Sequence, residues 1–512
     1  MPTEIELKLR VLPAQAARLR QHPALSAVRP RRVRLLNTYY DTAAHDLRKR
    51  GVALRLRRKG WAEWVMTVKG SNPGNDIGAG GLAARHEWET PTQPGVFNFD
   101  VVTDAELREF LEARRSDLQA LFSTDFMRTS WTLPHAGANV EVALDRGKIS
   151  AVAADGSTVS EALCELEFEL VEGGAYDGPD ALFDFALGLA ADLHLHPEIL
   201  SKAERGYALA QPALKQPVKA SPSPIARDDA PLAAFRAIAL SCLAHLQRND
   251  AGTIAGSDPE YVHQARVAIR RLRSAFRVFA PVLAPRFVEI YSPRWKELAG
   301  HLGSARDWDV FLAETLKPLE DAFPGDADLA VLRARGEESK AKAQASAAIA
   351  LNRREYSELV LAFSAALFER GPPTIAATDG EAPASLRKFA EARLEKRTRA
   401  IERLAKERGK MNAERRHKLR IAFKKLRYAL EFFEPILPDK RMSKYRSALA
   451  SLQDLLGTLN DQATASRLIK ELHPKGEPDS LTRGWIAGRT ELLVKNLSLE
   501  LERFLSLRKP WR

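Results

Sequence analysis

Residues 4–9 read EIELKL, and this short run decides the first half of the chain. Glu4, Glu6 and Lys8 alternate with Ile5, Leu7 and Leu9. In a strand, where successive side chains point to opposite faces, one face is then charged and the other apolar. The same alternation recurs at Arg55 and Arg57, at Thr67 and Lys69, and at Arg85, Glu87 and Glu89. It returns at Glu141 and Asp145, and again at Glu165, Glu167 and Glu169. One such strand is ordinary for a half-exposed sheet. Six strands whose charged faces gather acids and bases into clusters predict a closed barrel, charged faces inward and apolar faces outward against helices.

A charged lumen is costly to desolvate unless its charges pair or bind ions. Glu4, Glu6, Glu165, Glu167 and Glu169 supply hard oxygen ligands suited to Mg²⁺ or Mn²⁺. Lys8, Arg55, Arg57, Lys69, Arg85 and Arg128 supply donors for phosphate oxygens. Together these side chains suit metal-assisted phosphoryl transfer, in which electrostatic positioning supplies most of the catalysis. No single general base stands out.

Outward from the barrel, residues 211–231 read QPALKQPVKASPSPIARDDAP, a proline-rich linker between a 1–210 domain and a 232–512 domain. Before it, short alternating segments predict strands; after it, long Ala/Leu/Arg/Glu-rich stretches predict helices. The expected class is therefore α+β: an antiparallel β-barrel with flanking helices, then an all-α domain. The net charge of +12 divides unequally. Residues 225–512 hold 51 Lys and Arg against 37 Asp and Glu, whereas residues 1–224 hold 27 against 29. The basic excess lies in the helical half, which favours anionic partners.

That half repeats. HQARVAIRRLRSAFRVF from His263 matches HKLRIAFKKLRYALEFF from His417 at an offset of 154, and Leu298, Leu302, Gly303 and Asp307 recur as Leu452, Leu456, Gly457 and Asp461. Two similar helical bundles follow, at about 232–372 and 385–512. Within each, His263, Arg266, Arg270 and Arg273, matched by His417, Arg420, Lys424 and Arg427, fall on an arc of about 80° along about 15 Å of helix. The stripe has no carboxylate, although like charges at this spacing repel. The expected source of the missing charge is an external anion, and two facing stripes suit a linear polyanion. Asp307 and Asp461 cap helices or hold basic side chains in place. The stripes carry no Asn or Gln for reading bases and few aromatics for stacking, which argues against nucleic acid.

Several residue runs resemble a known family. Glu4-Ile-Glu6-Leu-Lys8 is similar to the ExExK signature of the CYTH family, the triphosphate tunnel metalloenzymes. YYDT from Tyr39, LRLR from Leu54, TVKG from Thr67, ALDRGKI from Ala143, ELEFEL from Glu165 and SKAERGY from Ser201 extend the likeness over about 1–210. It implies an eight-stranded antiparallel tunnel with Glu4, Glu6, Glu167 and Glu169 as metal ligands. By the same likeness Lys8, Arg55, Arg57, Lys69, Arg85, Arg128 and Lys202 contact triphosphate, Lys202 on the motif alone. The helical half resembles CHAD, a domain associated with polyphosphate, and the pairing resembles bacterial inorganic triphosphatases. Lys424 departs from the first repeat's arginine, keeping charge but losing bidentate geometry.

The expectation is a hydrolase that removes a terminal phosphate from inorganic triphosphate, joined to a domain that binds long-chain polyphosphate. The alternatives are a non-catalytic polyphosphate adaptor and an enzyme of organic triphosphates, a thiamine triphosphatase or an ATP cyclase. No run approaches the roughly 20 apolar residues of a membrane span, the N-terminus opens with charges, and Cys164 and Cys242 form no framework, so a cytoplasmic location is expected. Oligomeric state is not specified.

Overall fold

The computed structural model describes residues 3–70, 79–153, 155–171, 178–368, 375–376, 385–406, 412–437, 442–472 and 480–511. The chain forms two compact units, Met1–Gln216 with Arg353–Pro373, and Pro217–Asn352 with Thr374–Arg512.

The first unit is the barrel. Its strands are β1 (Thr3–Val11), β2 (Arg31–Asp41), β3 (Val52–Lys59), β4 (Glu63–Gly70), β5 (Leu82–Pro91), β6 (Gln119–His135), β7 (Ala138–Val152), β8 (Thr158–Val171) and β9 (Leu195–Pro197). They pair in the order β5-β4-β3-β2-β6-β7-β8-β1-β9, and β1 also pairs with β5. Eight antiparallel strands thus close on themselves, as expected, and the three-residue β9 adds beside β1.

The apolar faces do point outward. Helices α1 (Pro13–Leu19), α2 (Pro23–Ser26), α3 (Asp46–Lys49), α4 (Ala105–Glu112), α5 (Asp180–Ala190) and α6 (Lys202–Ala210) belong to this unit. Leu7, Leu9, Val140, Val142 and Phe168 are buried beneath Leu182, Phe183 and Leu189 of α5. Leu54, Leu56, Met66, Val68 and Trp88 are buried beneath Leu107 and Leu111 of α4. Burial of these side chains, each contributing about 1.5–3 kcal/mol, is what turns the charged faces inward. Helix α6 begins with a capping box: Ser201 Oγ accepts from Glu204 N at 3.1 Å, and Glu204 Oε2 accepts from Ser201 N at 2.9 Å. Ala203 and Tyr207 then rest on Tyr39, Phe122, Ile149 and Ala151. Ile149 and Ala151 share the parity of Asp145, so α6 sits against the inner face of the sheet.

The second unit is helical. It comprises α7 (Pro231–Ala255), α8 (Pro259–Phe279), α9 (Pro285–Val310), α10 (Lys317–Ala322) and α11 (Ala327–Asn352), then α13 (Leu386–Ala405), α14 (Ala413–Phe433), α15 (Met442–Leu472) and α16 (Ser480–Leu505). The intervening α12 (Arg354–Phe368) belongs to the barrel unit, where Leu361 enters the core beneath α5. Helices α8 and α14 differ by 154 residues at both ends, and each runs into a one-turn 3₁₀ segment, as the repeat requires. The first repeat departs at Phe311–Leu316, a π-helical turn with no counterpart in the continuous α15. Residues after 217 are tied to this unit: Val218 carbonyl accepts from Asn249 Nδ2 at 3.0 Å, and Ser221 carbonyl from Arg271 Nη2 at 3.2 Å. Among the described residues no helix is long and apolar enough to cross a membrane.

Candidate active site

Register sets the lumen. Across β1, β8 and β7, Glu6 faces Glu169, which faces Glu141; in the next inward row Lys8 faces Glu167. On the other side Arg55 faces Thr67 and Tyr39, and Lys69 faces Glu87. The result is a cavity of about 170 Å³. Its walls include Glu4, Glu6, Lys8, Arg55, Arg57, Lys69, Arg85, Arg128, Glu167, Glu169 and Lys202, so one space gathers eleven of the side chains singled out in the sequence.

The lumen is polarised. At one pole Lys8 Nζ stands 3.5 Å from Glu6 Oε1, and Lys69 pairs with Glu4 and, at 3.3 Å, with Glu87. Burial, and then the neighbouring Glu4, pushes the Glu169 carboxyl up to about 8. Burial also raises Glu4, which shares a hydrogen bond with Glu87. These carboxylates repel one another, and Lys8 and Lys69 offset that repulsion only in part. Lys69 shows the converse: burial opposes its charge, but Glu4, Glu6 and Glu87 outweigh it and hold the ammonium above its usual range.

At the other pole cations are in excess. Arg57 is 8% exposed, and its Nε donates to Asn37 Oδ1 at 2.7 Å. Among the described residues it forms no ion pair. Burial, with Arg55 and Arg128 nearby, draws its guanidinium down to about 10. An anion in the cavity would relieve that repulsion, and arginine's planar fork suits phosphate oxygens.

The acidic pole has the donor type of a hard divalent cation's site: Glu4, Glu6 and Glu169 are carboxylate oxygen donors on adjacent strands, and burial and mutual repulsion raise Glu4 and Glu169 despite Lys69 nearby. A second acidic group is different. Asp145, Glu165 and Glu167 bring ligand atoms within 4.8 Å of one another, but Lys202 Nζ already stands 2.8, 2.5 and 2.7 Å from their oxygens. Glu165 also accepts from Arg205 at 2.9 Å and does not line the cavity. Arg128 chelates Asp145 at 2.8 and 2.7 Å and pairs with Glu167. Burial disfavours the Glu167 charge, yet Lys202 and Arg128 outweigh it and hold the carboxyl well below its usual range.

Asp145, Glu87 and Glu89 take part here although only their parity marked them in the sequence. Arg205 bears no such mark, since its partners Glu161 and Glu165 lie 40 or more residues away.

The helical unit has its own cavity, of about 370 Å³, between the two repeats. Arg266 and Arg270 line it from α8, Arg420 and Lys424 from α14, together with His263, Asp307 and Asp461. Arg266 Nη1 reaches Asp307 Oδ1 at 3.4 Å, and Arg467 reaches Oδ2 at 3.2 Å. The buried Nε atoms of Arg270 and Arg420 lack a hydrogen-bond partner. Burial, then Arg420 and Arg270, draws the Lys424 ammonium down to about 7. Arg306, one residue before Asp307, adds a cation that the stripe did not include. Three stripe residues lie outside this cavity. His417 is exposed, Arg427 pairs with Glu431 and Gln453, and Arg273 stands beside Arg277.

An eight-stranded barrel with an ionic lumen, followed by duplicated helices around a basic cavity, defines a two-domain protein of distinctive class. The chain carries a CYTH domain over residues 2–207 and a CHAD domain over residues 237–470. Over 213 residues it is 35% identical to the inorganic triphosphatase of Haemophilus influenzae, covering 41% of this chain and 55% of that protein. The chain thus spans about half the length of that curated relative. Similar solved structures include the CHAD domain from the plant Ricinus communis, at 32% identity over 58% of this chain and 98% of that one, TM-score 0.49. Another is PptA from Streptomyces chartreusis, at 18% identity over 55% and 97%, TM-score 0.37.

Proposed function

We propose that the barrel hydrolyses inorganic triphosphate to diphosphate and phosphate with Mg²⁺ or Mn²⁺, and that the helical unit binds polyphosphate. The observation that carries the first half is the polarised cavity, crowded with carboxylates around Glu4, Glu6 and Glu169 and with cations around Arg57. The relative named inorganic triphosphatase supports the choice of substrate.

In this reading Arg55, Arg57 and Arg85 take the phosphate oxygens, and Lys8 and Lys69 bridge from carboxylate to substrate. Glu4, Glu6 and Glu169 would hold the metal ion, which when bound would supply charge to polarise the phosphoryl group. Arg128, held in this structure by two carboxylates, and Lys202, held by three, contact phosphate only by releasing them. Fixed cations stabilise the charge spread over the transferring phosphoryl oxygens, and enclosure by the barrel makes them more effective than in water. A nucleotide substrate also needs a base pocket, and the cavity's walls are mostly ionic, with Tyr39 the one aromatic side chain among the described residues that form them.

The test is phosphate release from triphosphate with Mg²⁺ or Mn²⁺, set against thiamine triphosphate, ATP and long-chain polyphosphate. Triphosphate should be turned over fastest, and Glu4→Ala/Glu6→Ala should abolish release. Equal release by the variant refutes the site.

A further inference from the structure

The helical unit holds a second group of cations that its cavity does not use. Arg273 and Arg277 stand one turn apart on α8, Arg393 and Arg397 one turn apart on α13, and Lys425 projects from α14. They are neighbours in space: burial, then Arg277 and Arg397, lowers Lys425, and Arg397 Nη2 donates to the Arg277 carbonyl at 3.4 Å. Arg397 Nη1 is spent on the Arg393 carbonyl at 2.9 Å, and the Nε atoms of Arg393 and Arg397 are buried without an acceptor. Among the described residues no carboxylate pairs with any of the five.

That omission is local. On the same helix α13, Arg387 is paired with Glu391 and Arg399 with Glu395, each four residues away. Like charges at this spacing destabilise a helix, and a buried donor without a partner loses its hydration uncompensated. A face whose only task is solvation has the glutamate remedy close at hand, so the uncompensated group is fitted to an external anion. Its position indicates which one. Arg266, Arg270, Arg273 and Arg277 form one ridge along α8, extending about 16 Å, with the first two in the cavity and the last two in the second group.

We infer that Arg273, Arg277, Arg393, Arg397 and Lys425 form a distal subsite for an inorganic polyphosphate chain that leaves the cavity along α8. The helical unit therefore selects long chains over short ones. This rests on the cavity's reading as a polyphosphate seat, given above. Only a chain long enough to follow the ridge touches both groups.

The full chain is titrated with inorganic triphosphate and with long-chain inorganic polyphosphate at several salt concentrations, under a chelator that prevents turnover. Two variants are compared: Arg393→Gln/Arg397→Gln/Lys425→Gln, and the cavity variant Arg270→Gln/Arg420→Gln. The distal variant should bind the long chain at least about tenfold more weakly, with a log–log salt slope shallower by about 2 for three lost phosphate contacts, and bind triphosphate as before. Relieved of repulsion, it should melt no lower than the unmodified protein when no anion is present. Unchanged long-chain affinity in the distal variant, with binding lost in the cavity variant, overturns the subsite and leaves the cavity's role standing. Full binding by both variants overturns both. Equal weakening for triphosphate and the long chain, or a lower melting temperature without anion, shows that these cations are not a distal subsite.

Discussion

The ammonium of Lys202 lies 2.5 Å from Oε1 of Glu165, with the two side chains only 6% and 1% exposed. Asp145 and Glu167 complete the group, so a residue on α6 bridges three carboxylates of the β-sheet wall, with Arg128 and Arg205 supplying the remaining positive charge. Removing one member of a buried ionic group costs about 3–5 kcal/mol, because the others stay buried without a partner. Lys202→Ala should therefore lower stability in denaturant titration by that order. Loss of triphosphatase activity with unchanged stability would assign Lys202 to the substrate alone.

Glu6 and Glu169 face each other across β1 and β8, and their repulsion sets up the metal prediction. Mg²⁺ or Mn²⁺ should raise the melting temperature of the protein in the absence of substrate. Glu6→Gln/Glu169→Gln should melt no lower than the parent without metal, gain nothing from its addition, and lose at least about a hundredfold in turnover. An undiminished metal-induced shift in the variant would move the ion elsewhere.

Lys424 should make the proposed polyphosphate binding depend on pH. Burial and the adjacent Arg420, Arg270 and Arg266 hold its folded value near 7, below the 10.5 of free lysine, with Asp461 opposing them. Without anion, the unfolded chain binds the extra proton between these values, so stability rises with pH across that window. A bound polyanion favours the protonated form, so binding takes up a proton above pH 7. Affinity should fall as pH rises, approaching about tenfold per pH unit. Lys424→Arg keeps its charge and should flatten the profile, as calorimetry in buffers of different ionisation enthalpy will show.

Gly206 lets α6 seat on the barrel, since a Cβ there would stand 2.2 Å from the Phe122 ring. Gly206→Ala should cost about 1–3 kcal/mol or more through overpacking. It should also weaken triphosphate turnover by displacing Lys202 and Arg205 on the same helix. A variant as stable and active as the parent would show that α6 has room to shift.

Alternation alone carried most of the barrel. Because side chains switch faces at every residue, Glu4, Arg55, Lys69, Arg85 and Glu167 could be assigned to one surface before any pairing was known. Their meeting in one cavity required strand order, which joins β1 to both β5 and β8. The 154-residue repeat likewise announced paired helices, and α8 and α14 keep that offset. It did not disclose that the basic stripe divides, with Arg266 and Arg270 entering a cavity and Arg273 standing beside Arg277, whose carbonyl meets Arg397 of α13.

What the sequence determined by itself is which residues share a face, since periodicity is a local property of the backbone. Which face partners which was decided only in three dimensions. Lys202 meets Glu165, and Arg205 meets Glu161, through contacts about 40 residues apart in the chain. Charge pairing acts through space without regard to sequence distance, so these partnerships exist only after burial of the apolar faces has closed the barrel.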